Sequence, residues 1–233
     1  MSKKTTNKTQ IICVLDSSGS MSQIIEEARN GFNDFIKKQK KLKEKATVTV
    51  ALFDSHFNYN LLYDNVDLND VKKITEKDWY PRSMTALYDG IGRTIDTVIS
   101  NQKKLKKSER PDKVLVTIVT DGMENDSKEY DHSAIGNLIE ERKSKGWQFV
   151  YLAANQDAFA VGTNLGVSGG NTFTYQNTKK GNAVMFDKLA NATVMYRSVD
   201  LNSENYADTV DNLMDDGSDE KTEVKEDTTE KNS

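Results

Sequence analysis

Short apolar runs along this chain alternate with segments whose apolar residues recur every three or four positions. The first run, Ile11-Ile12-Cys13-Val14-Leu15, is short and bounded by polar residues, so residues 10–15 are expected to form a strand. Ile24, Ile25, Ala28, Phe32, Phe35 and Ile36 make one stripe of a helix expected near 22–43. Thr47 to Phe53 reads as a second strand. Asp54-Ser55 reads as a tight turn into Phe57 to Tyr63, giving an antiparallel hairpin at the sheet edge. Leu87, Ile91, Ile95, Val98 and Ile99 predict a helix beginning right after Thr85. Val114 to Val119 is a near-continuous β-branched run, the pattern of a parallel strand covered on both faces. Further on, the pattern predicts a helix over 133–145, a strand over 148–153 and a short helix over 158–165. A last strand over 172–175 and an amphipathic helix over 180–197 complete it. Sequential β-α units of this kind predict an α/β protein. Its sheet should be doubly wound and mainly parallel, with one antiparallel edge strand and helices on both faces, a Rossmann-like arrangement.

Ligands of such sheets bind in the crevice beyond the carboxyl ends of the strands. Three segments put oxygen donors there. Asp16-Ser17-Ser18-Gly19-Ser20 directly follows the first strand, with an Asp and two hydroxyls at alternate positions. Ser83-Met84-Thr85-Ala86-Leu87-Tyr88-Asp89-Gly90 opens a helix, and Val116-Thr117-Ile118-Val119-Thr120-Asp121-Gly122 ends a strand. Small hard oxygens converging on one spot suit a divalent cation such as Mg²⁺. Each residue also has a local reading. Ser20 with Gln23 is a capping box, Thr85 can be a helix N-cap, and Asp121-Gly122 is a turn dipeptide.

The three segments, in that order, closely resemble the von Willebrand factor type A (vWA) family and its metal-ion-dependent adhesion site. That site has an Asp-x-Ser-x-Ser loop, a Thr from a second loop and an Asp from a third. Residue by residue the match falls on Asp16, Ser18, Ser20, Thr85 and Asp121, and it covers about residues 9–197. The chain is similar to small single-domain bacterial and phage members. The resemblance implies a protein-binding module in which the three hydroxyls coordinate Mg²⁺ or Mn²⁺ while the two Asp residues hold it, partly through water. A protein ligand presenting an Asp or Glu then completes the coordination. Tyr88, Asp89, Glu124 and Asn125 lie near the same edge, as do Asn155, Gln156 and Asp157, and are candidates for the rim that reads the ligand.

Other classes are weaker on this sequence. The alternative to a binding module is a Mg²⁺-dependent hydrolase or phosphatase-like enzyme, or a scaffold with a vestigial metal site. Haloacid-dehalogenase-like phosphatases need a second Asp two positions after the first, where this chain has Ser18. No phosphate loop, dinucleotide fingerprint or Gly-x-Ser-x-Gly elbow appears. His56 and His132 have no partner at metal-ligand or triad spacing and are expected to be exposed loop or strand residues. Trp79 and Trp147 are expected to be packing aromatics.

The 233 residues suffice for one domain with a sizeable core. Residues 1–8 read as a flexible start, 9–197 as the domain, 198–214 as an extension and 215–233 as a disordered acidic tail. That tail has eight acids against three lysines in a chain of net charge −4. Met1 to Gln10 is polar with no apolar core segment, so no secretory signal is read. The single cysteine, Cys13, is expected to act as a small buried hydrophobe. Together these favour a soluble, cytoplasmic monomer with no membrane and no specific nucleic-acid partner. The helix expected near 22–43 and the one after Thr85 both end in lysines, which should gather at the edge opposite the metal loops. The final helix is expected to end there and to release the acidic tail beside them.

Overall fold

β-Branched and aliphatic residues on both faces of a strand require cover on both sides, and the fold supplies it. A computed structural model describes residues 7–154 and 157–215. The first six residues, the rim candidates Asn155 and Gln156, and the acidic tail beyond Asp215 lie outside the described residues. Six strands form one sheet in the order β3-β2-β1-β4-β5-β6. They are β1 (Thr9–Asp16), β2 (Ala46–Phe53), β3 (Tyr59–Asp67), β4 (Lys113–Thr120), β5 (Trp147–Ala154) and β6 (Thr172–Tyr175). Only β3 runs antiparallel, at one edge beside β2. The other pairs are parallel.

Alternation along β1 shows how the layers form. Ile11, Cys13 and Leu15 pack on one face with Phe32, Phe35, Met185, Leu189 and Tyr196. Ile12 and Val14 pack on the other with Ile91, Ile95, Ile135 and Ile139. The first layer therefore contains helices α1 (Ile25–Gln39) and α5 (Lys179–Ser198), and the second α2 (Leu87–Lys104) and α3 (His132–Lys143). A short α4 (Ala158–Asn164) joins β5 to β6, and α6 (Tyr206–Asp211) follows α5.

The extension after α5 departs from expectation. The amphipathic stripe of α5 ends at the lysine edge, where Lys113 Nζ donates to the carbonyls of Tyr196, Arg197 and Val199. The chain then turns back. Val210, Leu213 and Met214 are buried in the core, and the Met214 N–H bonds to the Gly170 carbonyl at 2.9 Å. Apolar residues in the extension thus carry the chain to a point beside the start of β6, and Asp215 does not lie at the lysine edge. Helix α6, unassigned in the sequence reading, forms in this return segment.

Strand order fixes where a ligand can sit. The chain moves outward from β1 through β2 to β3, then resumes on the other side of β1 with β4, β5 and β6. The reversal lies between β1 and β4, so the crevice opens beyond the carboxyl ends of those two strands. Asp16 is the last residue of β1, and Asp121 directly follows β4.

Candidate metal centre

Asp16, Ser18, Ser20 and Asp121 are joined by a continuous hydrogen-bond path. Asp16 is fully buried within β1 rather than in the loop after it. One carboxylate oxygen accepts the Ser18 N–H at 2.7 Å, and the other accepts the Thr120 hydroxyl at 2.6 Å. Ser20 Oγ donates to Asp121 Oδ1 at 2.6 Å, which leaves the Ser18 hydroxyl to donate to Ser20 across 3.0 Å. Asn177, after β6, donates to the other Asp121 oxygen at 3.2 Å. Thr85 closes the group through Gly122, because a Cβ built on that glycine would lie 2.8 Å from Thr85 Oγ1 and 3.4 Å from Ser20 Oγ. The two hydroxyls thus flank one glycine. A side chain there would fill the space between them.

Local capping does not explain these residues. Helix α1 has Ile24 as its N-cap, with no side-chain cap, while Ser20 lies in a preceding 3-10 turn and turns to Asp121. Helix α2 begins after Ala86, also without a side-chain cap, so Thr85 is not used as one.

The loops carrying these side chains are sewn together by their backbones. The Gly19 N–H bonds to the Ser83 carbonyl at 2.9 Å, and the Arg82 N–H to the Ser17 carbonyl at 2.8 Å. Thr85 and Asn125 exchange two bonds: Thr85 N–H to Asn125 Oδ1 at 2.9 Å, and Asn125 N–H to the Thr85 carbonyl at 3.0 Å. Trp79 is fully buried, as packing aromatics are. It packs edge-on to Phe32, and its indole N–H also donates to the Asp16 carbonyl at 3.0 Å, from directly beneath the site.

The rim candidates mostly work inside this scaffold. Asp89 is buried, and its carboxylate accepts the N–H groups of Lys128, Glu129 and Tyr130 at 2.9 Å, which folds the third loop onto α2. Glu124 accepts the N–H groups of Tyr88, Asp126 and Ser127. Tyr88 is half-buried with its ring edge-on to His132. Asp157 is exposed and caps α4 through the Ala160 N–H. His56 is half-buried rather than exposed, with Nδ1 2.9 Å from Asp126 Oδ2. His132 is exposed at the start of α3. Sequence reasoning passed over Thr120, Asn177 and Tyr175, whose hydroxyl donates to the Thr120 carbonyl at 3.1 Å. Thr120 could have been noticed as the neighbour of Asp121. Asn177 gave no signal, since only the return of β6 brings it near.

Burial makes the site electrostatically demanding. It pushes the Asp16 carboxyl up to about 6, with a further contribution from the nearby charge of Asp121. Burial also raises Asp121 above the ordinary carboxylate range. Asn177 Oδ1 is buried with no hydrogen-bond partner among the described residues. Two carboxylates held mainly by neutral donors, next to hydroxyls with spare lone pairs, fit a hard divalent cation, whose charge would offset the burial cost. Among the described residues no three His, Cys, Asp or Glu side chains group as a metal set. A cation here would therefore depend on the hydroxyls of Ser18, Ser20 and Thr85.

No family model and no curated protein matches the chain. Solved structures do. Proximal thread matrix protein 1 from the mussel byssus, determined with a zinc-occupied MIDAS motif, is similar at a TM-score of 0.58 and 15% identity. The alignment covers 79% of this chain and 47% of that one. The pilus adhesin SpaC from Lactobacillus rhamnosus GG, in its open conformation, is similar at 0.59 and 14%, over 82% of this chain and 30% of that one. The SpRpn10 VWA domain is similar at 0.54 and 10%, over 78% of this chain and 94% of the domain. The chain spans under half the length of the mussel protein. At these identities the likeness concerns architecture, and with the strand order and single antiparallel edge it shows that this chain has the fold of a von Willebrand factor type A domain.

Proposed function

We propose that the chain is a metal-dependent protein-binding module. In this reading Asp16, Ser18, Ser20, Thr85 and Asp121 hold Mg²⁺ or Mn²⁺, and a partner protein supplies an Asp or Glu. The observation that carries it is the convergence of two buried carboxylates and the hydroxyl groups at the β1–β4 reversal, joined by hydrogen bonds that span 101 and 104 residues of sequence. The zinc-occupied MIDAS motif of the mussel protein supports a metal on this fold. When bound, the cation supplies a positive, oxygen-seeking centre at the surface.

The residues of the chain have separate tasks. Asp16 and Asp121 contribute negative charge, and Ser18, Ser20 and Thr85 contribute neutral oxygens. Thr120, Asn177 and Trp79 fix the orientation of the two Asp residues from behind, as outer partners of metal ligands do. Ser20 is exposed while Asp16, Ser18 and Thr85 are buried, so a partner approaches from the Ser20 side. The module binds rather than catalyses in this reading.

Calorimetric titration with Mn²⁺, repeated in competition with Mg²⁺, tests it. One competed site per chain, lost in Asp16→Asn, is expected. Absence of binding by the wild-type chain sinks the reading.

A further inference from the structure

Seven large apolar side chains are exposed among the described residues, and four of them lie on the loops that carry the candidate metal centre or on a turn bonded to those loops. Met84 is 46% exposed, Met123 69%, Tyr80 45% and Phe57 82%. Met84 lies between Ser83, whose carbonyl binds Gly19, and Thr85, whose hydroxyl adjoins Gly122. Met123 directly follows Gly122. Tyr80 sits beside Trp79, which bonds to Asp16, and Arg82 holds its ring by a 3.0 Å hydrogen bond to the phenol and by lying 4.5 Å above it. Phe57 stacks on His56, whose N–H and ring nitrogen both reach Asp126 on the third loop. The other three lie apart: Phe159 against Gly169, and Val184 and Met195 on α5.

Folding does not require these side chains to face water, and apart from the bond from Arg82 to the Tyr80 phenol the loops' hydrogen bonds among the described residues do not involve them. Clustered exposed apolar groups mark interaction surfaces, and Met, Tyr, Phe and Arg are the types enriched in the cores of protein interfaces. Methionine also adapts to partners of differing shape. An apolar collar around a carboxylate-seeking centre is complementary to one ligand type, an acidic residue with large apolar neighbours. A purely acidic segment would leave the collar exposed.

We infer that Tyr80, Met84, Met123 and Phe57 form a specificity collar that selects a partner segment in which the metal-seeking Asp or Glu is flanked by large aliphatic or aromatic side chains. The inference rests on the metal-dependent reading above. The residues of this chain beyond Asp215 include many acids but no large aromatic or Leu, so they fit the acidic half of the ligand and not the apolar half.

The test uses the full chain with Mn²⁺ and short labelled peptides read by fluorescence anisotropy. One peptide has a central Glu flanked by Leu, one a central Glu flanked by Ser, and one a central Gln flanked by Leu. The Leu-flanked Glu peptide is expected to bind about tenfold tighter than the Ser-flanked one, the effect of covering a pair of apolar contacts. Combining Met84→Ser with Met123→Ser is expected to abolish that preference while leaving calorimetric Mn²⁺ affinity unchanged, and Met195→Ser is expected to change neither. Equal affinity for the two Glu peptides, including no binding by either, overturns the collar. So does loss of the preference only together with Mn²⁺ affinity. A synthetic peptide of residues 216–233 binding as tightly as the Leu-flanked Glu peptide also overturns it, by making the chain's own tail the occupant. If EDTA has no effect, or the Leu-flanked Gln peptide binds equally well, the metal-dependent reading fails and the inference fails with it. A metal-dependent Glu peptide without preference for Leu leaves that reading standing and removes the collar alone.

Discussion

Gly122→Ala should disable the candidate metal centre while barely changing the rest of the molecule. The added Cβ would sit 2.8 Å from Thr85 Oγ1, a distance that real Cβ atoms essentially never show, so something must give by roughly half an ångström or more. The Thr85 backbone cannot easily slip, because Asn125 grips both its N–H and its carbonyl. The hydroxyl must therefore rotate away, and threonine has few χ1 positions to choose from. Leaving a favoured rotamer costs about 0.5–1.5 kcal/mol, and the crowding of Ser20 Oγ at 3.4 Å adds little. The expected destabilisation is about 1–2 kcal/mol, a fall in Tm of about 2–8 °C for a chain of this size. Mn²⁺ affinity should fall far more, by tenfold to about a hundredfold, because the Thr85 oxygen turns away and the space between it and Ser20 Oγ is filled. Gly136→Ala is the matched control. That glycine lies within α3 with nothing within 4 Å of a built Cβ, so the same substitution should stabilise by about 0.5–1 kcal/mol and leave metal binding untouched. Calorimetry with Mn²⁺ and thermal melting in EDTA read the two effects separately. Wild-type Mn²⁺ affinity in Gly122→Ala would refute the placement of Thr85 and Ser20 around one ion.

Asp16→Asn should abolish Mn²⁺ binding in calorimetry yet keep the circular dichroism spectrum, since its amide preserves the shape while removing the charge. Asp16→Ala should in addition lower stability by about 1–3 kcal/mol, because the buried Thr120 hydroxyl and Ser18 N–H lose their acceptor. Lys113→Met should destabilise by about 2–3 kcal/mol in urea titration, because three carbonyls at the end of α5 lose a buried cationic donor; a neutral result would remove Lys113 as the cap of that helix. Cys13 is buried and its thiol is pushed up to about 12, so a thiol reagent at mildly alkaline pH should label it only at the rate of unfolding. Immediate labelling in native buffer would contradict that burial.

Periodicity made the layers legible because each residue of β1 and β4 obeys a local rule that the whole sheet repeats. Every strand read from the sequence forms, and their ends shift by only a few residues. The loops were legible in composition but not in what each polar group does. Ser20 and Gln23 make a sound local capping pattern, and that pattern lost to Asp121, 101 residues away, whose position depends on β4 pairing with β1. Asp89, in the first turn of α2, is on sequence alone a candidate for the rim that reads the ligand. It is buried because three successive N–H groups of the 128–130 segment need an acceptor, and no spacing rule reports that need. The indole of Trp79 under Asp16 and the amide of Asn177 beside Asp121 were hidden for the same reason. The return of the chain after α5 was missed because Val210, Leu213 and Met214 are too few and too dispersed to show a period.

The hydrogen bonds that bring the three loops together link protein to protein, and this bears on how the site works. Gly19 to Ser83, Arg82 to Ser17, and the double bond pair between Thr85 and Asn125 would hold the loops in register whatever lies between them. The two Asp residues are likewise oriented by Thr120, Ser18, Ser20 and Asn177. What this network leaves unmet is charge: burial raises both carboxyls, and hydroxyl and amide donors only partly counter it. A cation would supply that missing term without having to order the loops, so little conformational entropy is lost when it binds. Geometry set by neutral bonds, with the charge left to an ion and the apolar collar left to a partner, divides recognition into three separable parts. Substitutions at Gly122, at Asp16 and at Met84 with Met123 each address one of them.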